Sequence, residues 1–267
     1  MIYVFLFILG LCFGSFLNVV IFRTTHNYSP FSGRSFCPHC KKKISWQDNI
    51  PLLSFFLLKG RCRYCHQSIS QSYFLVELLT GIEFVWIWFL IQSNLTLLGQ
   101  FEGFYSLLYA AYLLYIFYVF LGITVADLKY GLIPDFLVFS GIAVSSLFVL
   151  TSYNFLLLDF KSYFISGLGA GGALAALIIL TKGKGMGWGD VKLALLMGLF
   201  LGWPKIVIAF YVAFLTGAIT AVILILLRKK RFGQTLPFGP FLIAGTLAAF
   251  FWGEPIWQSV SLILGIK

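Results

Sequence analysis

Apolar residues along this chain gather into runs of roughly twenty, separated by short polar segments and by one long one. The runs cover 1–22, 73–92, 104–126, 133–151, 163–181, 191–203, 206–227 and 241–264. Most approach the roughly 20 residues that a helix needs to cross a bilayer core of about 30 Å. Lipid offers the backbone no hydrogen-bond partners, so such runs span as helices. The pattern therefore predicts an all-α polytopic membrane protein, a bundle of about eight transmembrane helices. Two runs differ from the rest. Residues 191–203 would reach only about 20 Å at 1.5 Å per residue. The run 241–264 is interrupted at Gly253-Glu254-Pro255, which directs its tail along the membrane interface.

The one sizeable polar segment, 23–72, is the only candidate for an extramembrane domain. The expected organisation is a first transmembrane helix (1–22), a small insert (23–72) and a transmembrane bundle (73–267). The first run has no basic start, and its basic residues follow it from Arg23 onward. It reads as a retained anchor and not as a cleaved signal peptide. The chain shows no internal repeat.

Composition supports the membrane reading: 60% of residues are apolar and only 10% charged, with a mean hydropathy of +0.94, which excludes a soluble domain. The net charge of +10 gains meaning from its placement. With the N-terminus outside and eight crossings, the inside segments are 23–72, 127–132, 182–190 and 228–240. Together with Lys192 they hold sixteen of the nineteen Lys and Arg residues. Basic residues resist translocation, so these segments are expected to face the cytosol. The basic residues are spread over separate loops, which argues against a nucleic-acid partner. Membrane lipid is the expected neighbour.

The insert contains Cys37-Pro38-His39-Cys40 and, after 21 intervening residues, Cys62-Arg63-Tyr64-Cys65. This spacing matches a four-thiolate zinc site. About 50 residues bury little apolar area, and a metal can supply the missing folding free energy. Two disulfides are the alternative, which a reducing cytosol disfavours. A zinc ion held by Cys37, Cys40, Cys62 and Cys65 has no open position, so its role is structural. His39 and His66 flank the pairs as surface residues.

Only nine residues of 267 are acidic, and two lie at apolar boundaries where a carboxylate is costly. Asp127 closes the run 104–126. Asp190 closes the loop Gly185-Met186-Gly187-Trp188-Gly189-Asp190. The topology puts both at the inner face, so residues 63 apart in sequence can meet across the bundle. Two carboxyls sharing a proton can activate water and polarise a carbonyl, which is aspartic peptidase chemistry. Gly185, Gly187 and Gly189 permit positive φ and close approach by an extended substrate. Asp190 as a simple helix N-cap is the alternative. Asp135 behind Pro134 reads as a helix-start residue. Lys192 and Lys129 are candidate ion-pair partners of the carboxylates. Glu77 and Glu83 lie within the run 73–92; Glu77 is placed either to face the bundle or to fix packing by a hydrogen bond.

These residues resemble the type IV prepilin peptidases over most of the chain. The matches begin with Gly14-Ser15-Phe16-Leu17-Asn18-Val19, Arg34-Ser35-x-Cys37-Pro38-x-Cys40, Asn49-Ile50-Pro51 and Gly60-x-Cys62-x-x-Cys65. They continue with Glu77, with Asp127 through Ile133-Pro134-Asp135, with Gly185-Met186-Gly187-x-Gly189-Asp190-x-Lys192-Leu193, and with Pro237-Phe238-Gly239-Pro240. The resemblance implies that Asp127 and Asp190 are a catalytic pair. It implies cleavage of the short basic leader of prepilins or pseudopilins at the cytosolic face of a bacterial cytoplasmic membrane. It also implies N-methylation of the new N-terminus with S-adenosylmethionine, although no glycine-rich Rossmann fingerprint is present. One departure is Gln71-Ser72-Tyr73-Phe74, where the family usually has tyrosine-proline. The competing readings are a presenilin-type intramembrane peptidase, which also carries a Gly-x-Gly-Asp loop, and a non-catalytic scaffold or transporter with a zinc knob.

Overall fold

Long apolar stretches with few breakers become helices, because lipid leaves the backbone no other way to satisfy its polar groups. The computed structural model of the protein describes residues 1–92, 104–153, 160–183, 185–229 and 236–265. The described residues form nine α-helices, and their only β pairing is two isolated bridges. The helices are α1 (Ile2–Thr25), α2 (Leu53–Leu57), α3 (Gln71–Gln92), α4 (Phe104–Tyr130), α5 (Asp135–Tyr153), α6 (Phe160–Leu180), α7 (Trp188–Leu201), α8 (Lys205–Leu226) and α9 (Gly239–Leu264).

Six of them, α1, α3, α4, α5, α6 and α8, are long and apolar enough to cross a membrane. Helix α7 has 14 residues, about 21 Å, and is as short as its run suggested. Helix α9 departs from expectation. It continues through the segment where an interruption was predicted, with Pro255 inside it. A proline removes one N–H and strains one turn; ending a helix in an apolar setting would orphan several groups. Of the residues in the charge count, Lys184, Lys230, Arg231 and Lys267 lie outside those described.

Two units make up the chain, Met1–Val125 and Ala126–Lys267. In the first, α1 lies along α3, and glycine sets the approach. A Cβ added to Gly14 would sit 2.7 Å from Glu77 Cα, and one on Gly10 would sit 2.8 Å from Gly81 Cα. The start of α3 shows how the departing Gln71-Ser72-Tyr73-Phe74 segment begins a helix without proline: Ser72 N–H donates to Ser70 Oγ at 3.3 Å, a cap of the usual kind.

The second unit repeats the glycine device. A Cβ on Gly198 of α7 would lie 2.6 Å from Gly167 Cα of α6, and one on Gly245 of α9 would strike the carbonyl of Ala209 in α8. Small residues let helix backbones touch, which supplies dispersion energy where hydrophobic driving force is weak. Helix α7 packs against α5, α6, α8 and α9, and nine of its fourteen residues are buried. Helix α8 instead turns Val207, Tyr211, Leu215, Val222 and Leu226 outward, an apolar face suited to lipid.

The insert contains a short internal repeat, where none was expected. Cys37 N–H donates to Lys42 O and Lys41 N–H to Cys37 O; 25 residues later Cys62 N–H donates to Gln67 O and His66 N–H to Cys62 O. Each turn is closed by an antiparallel bridge, Phe36 with Lys43 and Arg61 with Ser68, and each places a residue at positive φ, Lys41 at 59° and His66 at 56°. The two copies also share the pattern Cys-x-x-Cys-x-x-x-Ile-Ser, at 37–45 and again at 62–70, so the likeness is present in the sequence as well as in the backbone bonds.

Candidate active site

Helix α4 runs three residues past Asp127, so this residue occupies the last turn and not the loop that follows. Gly131 ends the helix with φ +64°, its N–H returning to Asp127 O at 2.9 Å. The Asp127 side chain is buried, 6% exposed, and its Oδ2 accepts the N–H of Gly239 at 2.8 Å. Gly239 is the first residue of α9, where N–H groups have no partner within the helix and the dipole favours an anion. A Cβ on Gly239 would come to 2.7 Å from that same Oδ2. The sequence marked this residue only within Pro237-Phe238-Gly239-Pro240 and assigned it no role. The available signal was a Gly-Pro pair at the start of an apolar run.

Asp190 sits at the third position of α7 and is also buried, 7% exposed. Its Oδ2 accepts the N–H of Gly187 at 3.0 Å, and its own N–H donates to Gly187 O at 3.1 Å. The residue is thus not the N-cap; it reaches back to the cap from inside the first turn. The glycines differ from expectation as well. None of Gly185, Gly187 and Gly189 has positive φ, and Gly187 is extended at φ −93°. Space is the reason at Gly189, where a Cβ would lie 3.0 Å from Ile133 Cβ. This contact sets the turn after α4 against the start of α7.

The two aspartates share one design. Each is buried, and each gives its Oδ2 to the backbone N–H of a glycine at a helix start, which leaves Oδ1 without a hydrogen-bond partner among the described residues. They are close enough for the charge of Asp127 to act on Asp190. Neighbouring buried carboxylates do not both ionise cheaply, so such a pair titrates as a unit.

Lys192 pairs elsewhere. Its Nζ donates to Asp135 Oδ1 at 2.7 Å and lies 5.3 Å from the centre of the Phe139 ring. Asp135 opens α5 as a largely exposed helix-start residue. Lys129 lies 5.3 Å from the centre of the Tyr130 ring. In the first unit, Glu77 Oε2 accepts the N–H of Leu52 at 2.8 Å and the carboxylate is hydrogen-bonded to Ser15, so it ties the insert to α3 and α1. Glu83 is buried, and its Oε1 has no partner among the described residues.

The four insert cysteines converge. Their sulfurs all lie within 4.8 Å of one another, Cys37 and Cys65 at 3.9 Å, and none is in a disulfide. Backbone hydrogen bonds from Cys65 and Tyr64 bring the Cys62 thiol down to about 7, favouring the thiolate that a metal needs. The cluster could hold a metal ion, and neither His39 nor His66 belongs to it. Asp48 braces the second turn through both carboxylate oxygens to Arg63, and that guanidinium holds the Asp48 carboxyl below its usual range.

The chain is similar in sequence to known proteins. The model of the Bacterial Peptidase A24 N-terminal domain matches residues 8–91, and that of the Type IV leader peptidase family matches 114–222. The prepilin leader peptidase/N-methyltransferase of Aeromonas salmonicida is 34% identical over 94% of this chain and 90% of that protein. The chain belongs to the type IV leader peptidase family. Proteins of the same name from Pectobacterium carotovorum subsp. carotovorum (33% identical, 89% of this chain, 88% of that protein) and Legionella pneumophila (34%, 85% and 75%) are similar to it as well. No solved structure matches. With six apolar helices, this family member is a multi-pass membrane protein. The family assignment does not favour the presenilin-type and scaffold readings. The segment matched by the N-terminal model contains the cysteines and Glu77, and that matched by the peptidase model contains Asp127 and Asp190.

Proposed function

We propose that this chain is a membrane aspartyl endopeptidase that removes the basic leader of type IV prepilins or pseudopilins, with Asp127 and Asp190 as its catalytic pair, and then N-methylates the new N-terminus. One observation carries the assignment: two buried carboxylates, the charge of Asp127 acting on Asp190, each anchored through Oδ2 with Oδ1 left without a hydrogen-bond partner among the described residues. One carboxylate takes a proton from water, and the other, protonated, donates to the scissile carbonyl oxygen. The proton then passes to the departing amine. Gly187 lies in the loop over which the substrate backbone would run, while Gly189 and Lys192 shape the start of α7 beside it.

The metal is zinc in this reading. A tetrahedral ion with Zn–S of about 2.3 Å needs sulfurs about 3.8 Å apart, and Cys37 and Cys65 stand 3.9 Å apart. S-adenosylmethionine is the methyl donor, as the names of the relatives imply. The basic-residue bias supports a site on the cytosolic side, and the bacterial family model and relatives support a bacterial cytoplasmic membrane. The test is direct. Purified chain is incubated with a leader-bearing prepilin and methyl donor, and the products are weighed. Loss of the leader in wild type, and its retention with Asp127→Asn or Asp190→Asn, is the expected result; full cleavage by either variant refutes the pair.

A further inference from the structure

Within the insert, the short helix α2 turns an apolar row away from the protein. Leu53, Phe56 and Leu57 are 51%, 65% and 72% exposed, and their i, i+3, i+4 spacing puts them on one helix face. An exposed apolar cluster marks a surface that something covers.

The height of α2 along the bundle identifies what covers it. Leu52 N–H, just before α2, donates to Glu77 Oε2 at 2.8 Å. The Phe55 and Phe56 ring centres lie 5.5 and 5.3 Å from that of Phe74. Phe74 and Glu77 both belong to α3, one of the helices able to cross a membrane. Its 22 residues reach about 33 Å, little more than a bilayer core of about 30 Å. The first two turns of α3 therefore stand at the membrane boundary, and α2 stands beside them. The outward apolar stripe of α3 is Leu75, Leu79, Ile82, Trp86 and Phe89. It begins one residue after Phe74, so the lipid-facing surface of this span starts at the level of α2.

Charge points the same way. Residues 23–72 contain eight Lys and Arg but a single acidic residue, Asp48, which is paired with Arg63. Lys59 and Arg61 follow the apolar row directly and are exposed, and neither ion pair among the described residues includes them. An apolar row flanked by cations suits the headgroup layer of an anionic membrane.

We infer that α2 is an interfacial lipid anchor: Leu53, Phe56 and Leu57 enter the acyl boundary of the leaflet, and Lys59 and Arg61 take phosphates of anionic lipid. The insert is then not a freely solvated domain. Its second cysteine turn, which begins at Cys62, is held against the membrane surface.

Hydrogen exchange of the purified full chain, one copy per nanodisc, tests this without any turnover and so independently of the catalytic assignment. Discs of phosphatidylcholine alone are compared with discs that also contain phosphatidylglycerol, and the amides of α2 are read by mass spectrometry. In wild type they should exchange more slowly with phosphatidylglycerol, by about fivefold for each basic residue engaged. High salt should erase the difference, and Lys59→Gln combined with Arg61→Gln should abolish it. Leu57→Glu should speed exchange of α2 in both lipids, while the amides of α3 stay as slow as in wild type and so report an intact fold. Equal α2 exchange of wild type in both lipids, a difference that survives the double variant, or a silent Leu57→Glu overturns the assignment. Protection that appears only with two copies per disc gives the face to a second chain and overturns it as well.

Discussion

The backbone N–H of Gly239 donates to Oδ2 of Asp127 at 2.8 Å, across 112 residues of sequence. The same glycine leaves the space that the carboxylate occupies, since a Cβ there would come to 2.7 Å from Oδ2. Gly239→Ala, at an ordinary helical φ, should therefore displace Asp127 without harming the helix. Misplacing a reacting group by about 1 Å costs on the order of a hundredfold. We expect leader cleavage to drop at least tenfold with membrane abundance unchanged, and undiminished cleavage would show that this contact does not position the pair.

In the proposed mechanism, Asp127→Asn and Asp190→Asn each remove one carboxyl from the pair that shares a proton. Cleavage should fall by about a thousandfold or more in either, and the double variant should be scarcely worse, because the two act as one unit. Asp135→Asn breaks only the exposed pair with Lys192, an interaction worth about 0–1 kcal/mol. Its cleavage rate should stay within about threefold of wild type. A dead Asp135→Asn enzyme with active Asp127→Asn would move the catalytic role to the other residue.

Gly198 lies in backbone contact with Gly167. Gly198→Val should push α6 from α7 and destabilise the second unit by about 1–3 kcal/mol or more. Gly172, on the same α6, has nothing within 4 Å of an added Cβ, so Gly172→Ala should be neutral or better. Thermal inactivation in detergent would rank the two, and equal midpoints would show that the glycine seam is not what sets this packing.

The thiolate cluster should carry about one zinc per chain near neutral pH. Protons compete with the metal for sulfur, so metal content should fall as the pH is lowered and not as it is raised. Cys37→Ser should lose the metal and depress methylation more than cleavage. Metal analysis by mass spectrometry across pH would check both; a metal-free wild type with intact thiols defeats the zinc assignment.

What could be read from order along the chain was what local chemistry controls. Hydropathic runs located the helices, because a backbone in lipid has no alternative to helix. Cysteine spacing announced the thiolate cluster, because each pair is one turn that points two sulfurs the same way. Asp127 and Asp190 stood out because carboxylates at apolar boundaries are expensive. Helix ends were less legible. The sequence did not show that α4 holds Asp127 in its last turn, or that α7 begins before Asp190, since capping hydrogen bonds settle such limits and hydropathy does not register them.

Only the fold decided which distant groups meet. It brought Gly239 to Asp127, gave Lys192 to Asp135, and set Gly189 against Ile133 for want of room and not for positive φ. It also showed that the two Cys-x-x-Cys-x-x-x-Ile-Ser stretches close into twin turns through the same backbone bonds. Pattern along a chain reports the solvent each residue seeks. Which neighbour it finds there depends on how closely the helices approach, and in this protein that distance is set by glycines whose partners are remote in sequence.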